Sequence, residues 1–177
     1  MVFGMITCSW KDEVKSFNNC HSTLDLESNK RKNILMKNIL VLCTGNSCRS
    51  QMAHGYLNYF LDNRKVKVYS AGIETHGLNP GAVSIMKEDG IDISKHTSNH
   101  VDEYAAIDFD YILTVCDHAN ENCPYILSKN AIRLHHNFFD PSKVKGTETE
   151  KHEAFLKARN EIKAYCKEFF MEIVEKI

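Results

Sequence analysis

No apolar run in this chain approaches the ~20 residues that a membrane-crossing helix needs; the runs are strand-sized. No broad basic field is present either. The formal net charge is -1, and no long block of one sign marks a nucleic-acid surface or an interaction tail. Met1 to Thr7 is apolar but lacks a charged n-region and soon meets Lys11, Asp12 and Glu13, so it does not read as a signal peptide. There is no internal repeat and no low-complexity segment. The pattern Gly-x4-Gly-Lys is missing, which excludes a Walker-type nucleotide site. What the chain does have is cysteine, seven of them, an odd number that cannot all pair within one chain. Without an export signal a reducing compartment is expected, where cysteines in number point to metal or redox chemistry rather than structural bridges.

The 177 residues suit one compact domain. Residues 1–35 differ from the rest. Cys8, Cys20 and His21 sit among polar residues without a sustained period, and Ser28 to Asn33 is almost wholly polar. A poorly ordered extension is expected there, or an upstream start codon, with the domain running from Met36 to residue 177. From Met36 strands and helices alternate. Asn38 to Cys43 is a short, partly β-branched run ending at a Gly-Asn turn, which predicts a buried parallel strand. Arg49 to Phe60 has helical spacing, and Val66 to Ala71 reads as the second strand. Asn79-Pro80 predicts a helix start and Gly90 its C′ stop. Tyr111 to Val115 and Ile132 to Leu134 complete the strands. Thr147-x-x-Glu150 is a candidate capping box, after which Phe155, Ala158, Ile162, Tyr165, Phe169 and Ile173 keep helical spacing. The alternation implies an α/β domain with a parallel sheet covered on both faces.

The sharpest motif is Cys43-Thr44-Gly45-Asn46-Ser47-Cys48-Arg49-Ser50, between a predicted strand and a predicted helix. Successive backbone N–H groups in such a loop form an anion nest, and the helix behind it adds the positive end of its dipole. Gly45 is expected to supply backbone angles that other residues resist. Arg49 offers a planar fork that matches a tetrahedral oxyanion. Cys43, at the head of the nest, is expected to have a depressed pKa and to act as the thiolate nucleophile, with Ser50 donating to it. The competing reading is a buried strand-end cysteine beside a loop arginine; the combination of strand, glycine-bearing loop, Arg-Ser and helix makes it the weaker one.

This loop resembles the phosphate-binding loop of low-molecular-weight tyrosine phosphatases. Cys-Thr-Gly-Asn-Ser-Cys-Arg-Ser-Gln-Met-Ala from Cys43, with Tyr-Ser-Ala-Gly-Ile-Glu-Thr-His-Gly-Leu-Asn-Pro from Tyr69, is similar to the thioredoxin-coupled arsenate reductases built on that fold. The resemblance runs from about Met36 to the C-terminus. It implies a four-stranded parallel sheet of order 2-1-3-4 with helices on both faces. It also implies substrate binding by residues 44–50, namely Thr44, Gly45, Asn46, Ser47, Cys48, Arg49 and Ser50.

Within the same resemblance Cys116 and Cys123 form a redox relay with Cys43. With strands one and three as neighbours ~4.8 Å apart, Cys43 and Cys116 meet at the C-terminal sheet edge, and a disulfide's Cα reach of ~7 Å covers them. Cys123 lies further along. Seven helical residues rise ~10.5 Å, so a helix between Cys116 and Cys123 must unwind before they pair. Taken alone the two could be ordinary buried cysteines. A zinc site with His118 is disfavoured, because the cysteine spacing exceeds the usual gap. Asp140, in Asp140-Pro141 after Phe138-Phe139, is the implied general acid, kept protonated by apolar neighbours; a plain Asp-Pro turn is the alternative. Cys48 reads as structural or oxidation-sensitive, Cys166 as packed, and His96, His135 and His136 as satisfied or solvated. His54 departs from the family pattern. Similar reductases with a potassium site have Glu there and Asn46 as another ligand, so that cation is in doubt. The implied partners are arsenate and thioredoxin, in a cytoplasmic monomer with no metal or organic cofactor. The rival functions are a tyrosine or small-molecule phosphatase using Cys43, Arg49 and Asp140, and a non-catalytic oxyanion or thiol sensor.

Overall fold

The computed structural model describes residues 36–61, 65–121, 128 and 130–174. The expected extension, Cys8, Cys20 and Cys123 lie outside the described residues. Four strands, β1 (Lys37–Cys43), β2 (Val66–Gly72), β3 (Tyr111–Thr114) and β4 (Ile132–His135), form one sheet of order β2-β1-β3-β4. All three pairings are parallel. β1 is central, and Ile39, Leu40, Val41 and Leu42 are fully buried, as a strand covered on both faces must be. Each such side chain contributes roughly 1.5–3 kcal/mol of burial. β2 and β4 are the edges, and Ile132 of β4 remains half exposed.

Helices α1 (Arg49–Phe60), α2 (Pro80–Glu88), α3 (Asp117–Glu121) and α4 (Glu148–Val174) follow in chain order. α1 packs against both α4 and α2. The register puts Tyr111 beside Ile39 on the face that α4 covers, where Phe169 meets Tyr111 edge-on at 5.7 Å. On the opposite face Tyr69 packs edge-on against Tyr104, in the 3₁₀ turn Val101–Tyr104, and against Phe109. α3 also sits on the sheet beside β1 and β3.

The local signals act where the spacing placed them. The Asn79 side chain accepts from the N–H groups of Gly81 and Ala82, Pro80 opens α2, and Gly90 follows its end at φ 79°. Thr147 and Glu150 cap α4 reciprocally: the Thr147 N–H donates to the carboxylate at 2.7 Å and the Glu150 N–H donates to the hydroxyl at 3.3 Å. Phe155, Ala158, Ile162, Cys166, Phe169 and Ile173 form the buried stripe of α4. Among the described residues no helix is long and apolar enough to cross a membrane.

Candidate active site

The loop from Cys43 to Arg49 joins the C-terminal end of β1 to the N-terminus of α1. Its carbonyls are turned outward. Those of Cys43, Thr44, Gly45 and Ser47 accept from the N–H groups of Ile73, Glu74, His76 and Asn79 at 2.8–3.2 Å. The segment after β2 thus braces the loop and leaves the loop's own amides facing inward, as an anion nest requires. Gly72 makes the close approach possible. A Cβ there would lie 2.2 Å from the Glu74 carbonyl oxygen, 2.7 Å from that of Thr44 and 2.8 Å from the Asn46 nitrogen.

The left-handed residue of the loop is Asn46, at φ 41°, rather than Gly45 as expected. Asn tolerates this region because its short polar side chain finds local partners. Here the Asn46 amide donates to the carbonyls of Ser70 and Asn99, while Oδ1 accepts from Ser50 at 3.0 Å and Gln51 at 2.8 Å. At Gly45 a Cβ would meet Nδ1 of the half-exposed His76 ring at 2.4 Å, so that ring would have to swing away.

Cys43 is buried, with Sγ 2.8 Å from Ser50 Oγ and accepting from the Asn46 N–H at 3.1 Å. Burial pushes the thiol above its ordinary value, and the neighbouring Cys116 adds to this; Ser50, the Asn46 N–H and Arg49 offset it only in part. The expected depression is therefore reversed in the resting site. Ser50 has one hydroxyl proton, which can serve either Asn46 Oδ1 or the Cys43 sulfur. Turned toward sulfur it would stabilise a thiolate, with Gln51 still satisfying Asn46.

Arg49 opens α1 and reaches across the loop that follows β4. Nη1 donates to the Phe138 carbonyl at 3.1 Å and Nη2 pairs with Asp140 Oδ2 at 2.7 Å. Phe138, buried against His136 and Tyr165, anchors this loop. Asp140 Oδ1 accepts from the N–H and the hydroxyl of Ser142. Apolar neighbours were expected to keep Asp140 protonated. Phe139 is instead exposed, and Arg49 and Ser142 hold the two carboxyl oxygens of Asp140. The cavity of about 200 Å³ at the loop is lined by Cys43, Thr44, Gly45, Ser47, Cys48, Arg49, His76, Asp140, Ser142 and Lys143. An adjoining groove shares Thr44, Arg49, Asp140 and Lys143 with it and adds Phe138 and Phe139.

Cys116 stands just past β3, buried, with Sγ 3.3 Å from Thr44 Oγ1. The sheet register carries β1 and β3 out together: Leu42 pairs with Thr114, and the Val115 N–H donates to the Leu42 carbonyl. Cys43 and Cys116 are thus brought to one sheet edge. Cys48 is buried in the loop and Cys166 is packed on α4, where burial pushes both thiols up.

Around Asn46 the polar side chains bond one another. His54 bonds Ser70 Oγ through Nδ1 at 2.9 Å and lies 4.5 Å from the His96 ring. Burial, together with His96, lowers its pKa to about 3, so it is neutral at physiological pH. His96 in turn bonds Gln51 Oε1, and Asn46 Oδ1 already accepts two hydrogen bonds. A hard cation needs oxygen ligands, and this cluster supplies no carboxylate. His135 and His136 are satisfied, by Asp117 and Thr114 and by Glu161.

Residues 38–177 match the family model described as low molecular weight phosphotyrosine protein phosphatase. Arsenate reductases of Halalkalibacterium halodurans and Bacillus subtilis are each 49% identical over 133 residues, covering 75% of this chain and 94% of the relative. A solved arsenate reductase in the phosphate binding state superposes with TM-score 0.67 at 30% identity, covering 78% of this chain and 99% of its own. The tyrosine phosphatase Wzb from Escherichia coli K30 in complex with sulphate shares the fold with TM-score 0.65 at 20% identity, covering 78% and 99%. With the nest, its bracing segment and the sheet order all in place, the chain belongs to the low molecular weight phosphotyrosine protein phosphatase family.

Proposed function

We propose that this protein reduces arsenate to arsenite through a thiol relay regenerated by thioredoxin. The observation that carries the reading is Cys116, a second buried thiol held against the nest by the Thr44 hydroxyl. Hydrolysis has no use for a thiol there, whereas reduction must deposit two oxidising equivalents on sulfur. The relatives named arsenate reductase, 49% identical, support the same reading.

Arsenate enters the nest and draws the Arg49 fork from Asp140 onto its oxygens. A dianion beside a thiol carries the same protons as a monoanion beside a thiolate, so the substrate itself takes the Cys43 proton. The Ser50 hydroxyl then turns toward sulfur. The Cys43 thiolate attacks arsenic and an As–O bond breaks; Asp140, no longer paired with Arg49, takes up a proton from solvent and delivers it to the departing oxygen. Cys116 attacks Cys43 Sγ. The S–S bond forms, the As–S bond breaks with its electron pair left on arsenic, and arsenite departs. Cys123 then attacks Cys116, frees Cys43 and leaves Cys116–Cys123 for thioredoxin to reduce. The relay needs no metal or organic cofactor and suits a reducing cytoplasm.

The test is arsenite release with purified protein, thioredoxin, thioredoxin reductase and NADPH. Cys123→Ser should release about one arsenite per enzyme and stop with Cys43 linked to Cys116, whereas Cys116→Ser should stop at the arseno-thiol adduct. Sustained thioredoxin-dependent arsenite release by both variants would refute the relay, and no arsenite release by the wild type would leave a phosphatase.

A further inference from the structure

Cys116 must lose a proton before it can attack, yet its sulfur is buried and its recorded hydrogen bond is to Thr44 Oγ1, at 3.3 Å. The same Thr44 oxygen lies 3.4 Å from Nδ1 of His118. His118 is the second residue of α3 and is exposed. A groove of about 400 Å³ brings Arg49, Cys116, Asp117, His118, Asp140 and Lys143 together. We propose that His118 takes the Cys116 proton through the Thr44 hydroxyl and so generates the second thiolate of the reaction. This rests on the arsenate reductase reading in that Cys116 is the second nucleophile.

The chain of three atoms has a donor and an acceptor at each junction. The Cys116 S–H proton passes to Thr44 Oγ1 as the Thr44 hydroxyl proton passes to Nδ1 of His118. The result is a thiolate that accepts from Thr44 and an imidazolium that donates to Thr44. Imidazole is the side chain suited to this exchange near neutrality. The other charged groups of the groove are engaged or peripheral to this line. Arg49 pairs with Asp140 at 2.7 Å, Asp117 pairs with His135 at 3.1 Å, and Lys143 lines the rim. Cys43 is the neighbouring thiol whose adduct is attacked. The thiolate forms the S–S bond with Cys43 Sγ, the As–S bond breaks, and arsenic keeps the electron pair, going from As(V) to As(III). The imidazolium then yields its proton to the departing arsenite oxyanion in the groove. His118 touches neither substrate nor sulfur; it is a positioning residue for a proton.

The test is peptide-resolved iodoacetamide alkylation of Cys116 in the reduced full-length protein, without arsenate, from pH 6 to pH 9.5. His118→Gln should slow alkylation about tenfold at pH 7, the size of one lost charge-assisted partner. The gap should close at pH 9.5, where hydroxide in solution replaces the histidine as base. Thr44→Val should reproduce this pattern and Thr44→Ser should not. A phosphate-induced rise in melting temperature, retained by His118→Gln, verifies that the nest is folded. An unchanged rate at pH 7 in His118→Gln overturns the proposal. So does a gap that persists undiminished at pH 9.5, because that marks altered access rather than a missing proton acceptor. Because no arsenate is present, a protein that passes here but releases no arsenite would sink the reductase reading and leave this proton path standing.

Discussion

His54 should make this protein acid-sensitive, and the size of the effect follows from its surroundings. The imidazole is enclosed beside Ser70 and the His96 ring, and burial lowers its pKa to about 3. In the unfolded chain a histidine titrates near ~6.5. The native value is the lower one, so the unfolded state binds the proton first as pH falls. Stability is therefore complete above ~6.5 and is lost progressively toward 3, below which both states are protonated. Between pH 7 and pH 5 the native imidazole stays neutral while the unfolded one protonates. That shift amounts to at most about 2 kcal/mol, from ~1.4 kcal/mol per pH unit over roughly one and a half units. The assay is urea denaturation at pH 7 and pH 5, comparing the wild type with His54→Gln. The amide can still bond Ser70 but does not titrate. The wild type should lose about 2 kcal/mol more than the variant over this range. Equal losses would show that His54 is not held neutral by its surroundings. His96, whose pKa burial also lowers, should make a smaller contribution of the same sign.

Other perturbations separate chemistry from scaffold. Cys43→Ser should abolish arsenite release while sparing the melting temperature, because a hydroxyl is a far poorer nucleophile at neutral pH; near-normal turnover would move the nucleophile elsewhere. Arg49→Lys should lose most activity, since an ammonium cannot serve both Phe138 and Asp140 in the resting site or two oxyanion oxygens in the loaded one. Gly72→Ala should destabilise by several kcal/mol, because its Cβ would collide with three backbone atoms that cannot give way separately; calorimetry decides it. A chain starting at Met36 should keep its melting temperature and its arsenite release, and loss of either would make residues 1–35 part of the working domain.

Most of the fold was legible because its signals are local and periodic. Arg49 to Phe60, the Asn79-Pro80 start and the Thr147/Glu150 box each depend on neighbours within four residues, and each forms where the spacing placed it. Strand ends were less sharp. β2 continues one residue past Ala71, to Gly72, where the ladder hands over to an isolated bridge with His100, a contact no local pattern encodes. The sheet order came from the resemblance rather than from any periodicity, since a run such as Ile39 to Leu42 says only that both faces are covered. What the sequence concealed was the bracing of the nest. The outward carbonyls of the loop depend on N–H groups of residues 73–79, some thirty residues away, and a run of backbone donors has no side-chain signature.

The charge states were the least legible part of the site, and the reason is physical. A motif shows which groups are near a sulfur but not how thoroughly they exclude water. Cys43 beside Arg49 suggests a lowered thiol pKa; burial of the same sulfur outweighs Arg49 and pushes it up. Asp140 after two phenylalanines suggested a protonated acid, but only Phe138 turns inward, and the carboxylate is taken up by Arg49. In the resting site Cys43 Sγ faces Ser50 Oγ and Arg49 holds Asp140. On the proposed mechanism a bound oxyanion takes the Cys43 proton and competes with Asp140 for the guanidinium. An arginine that can satisfy either the acid or the substrate therefore couples occupancy of the nest to activation of the site.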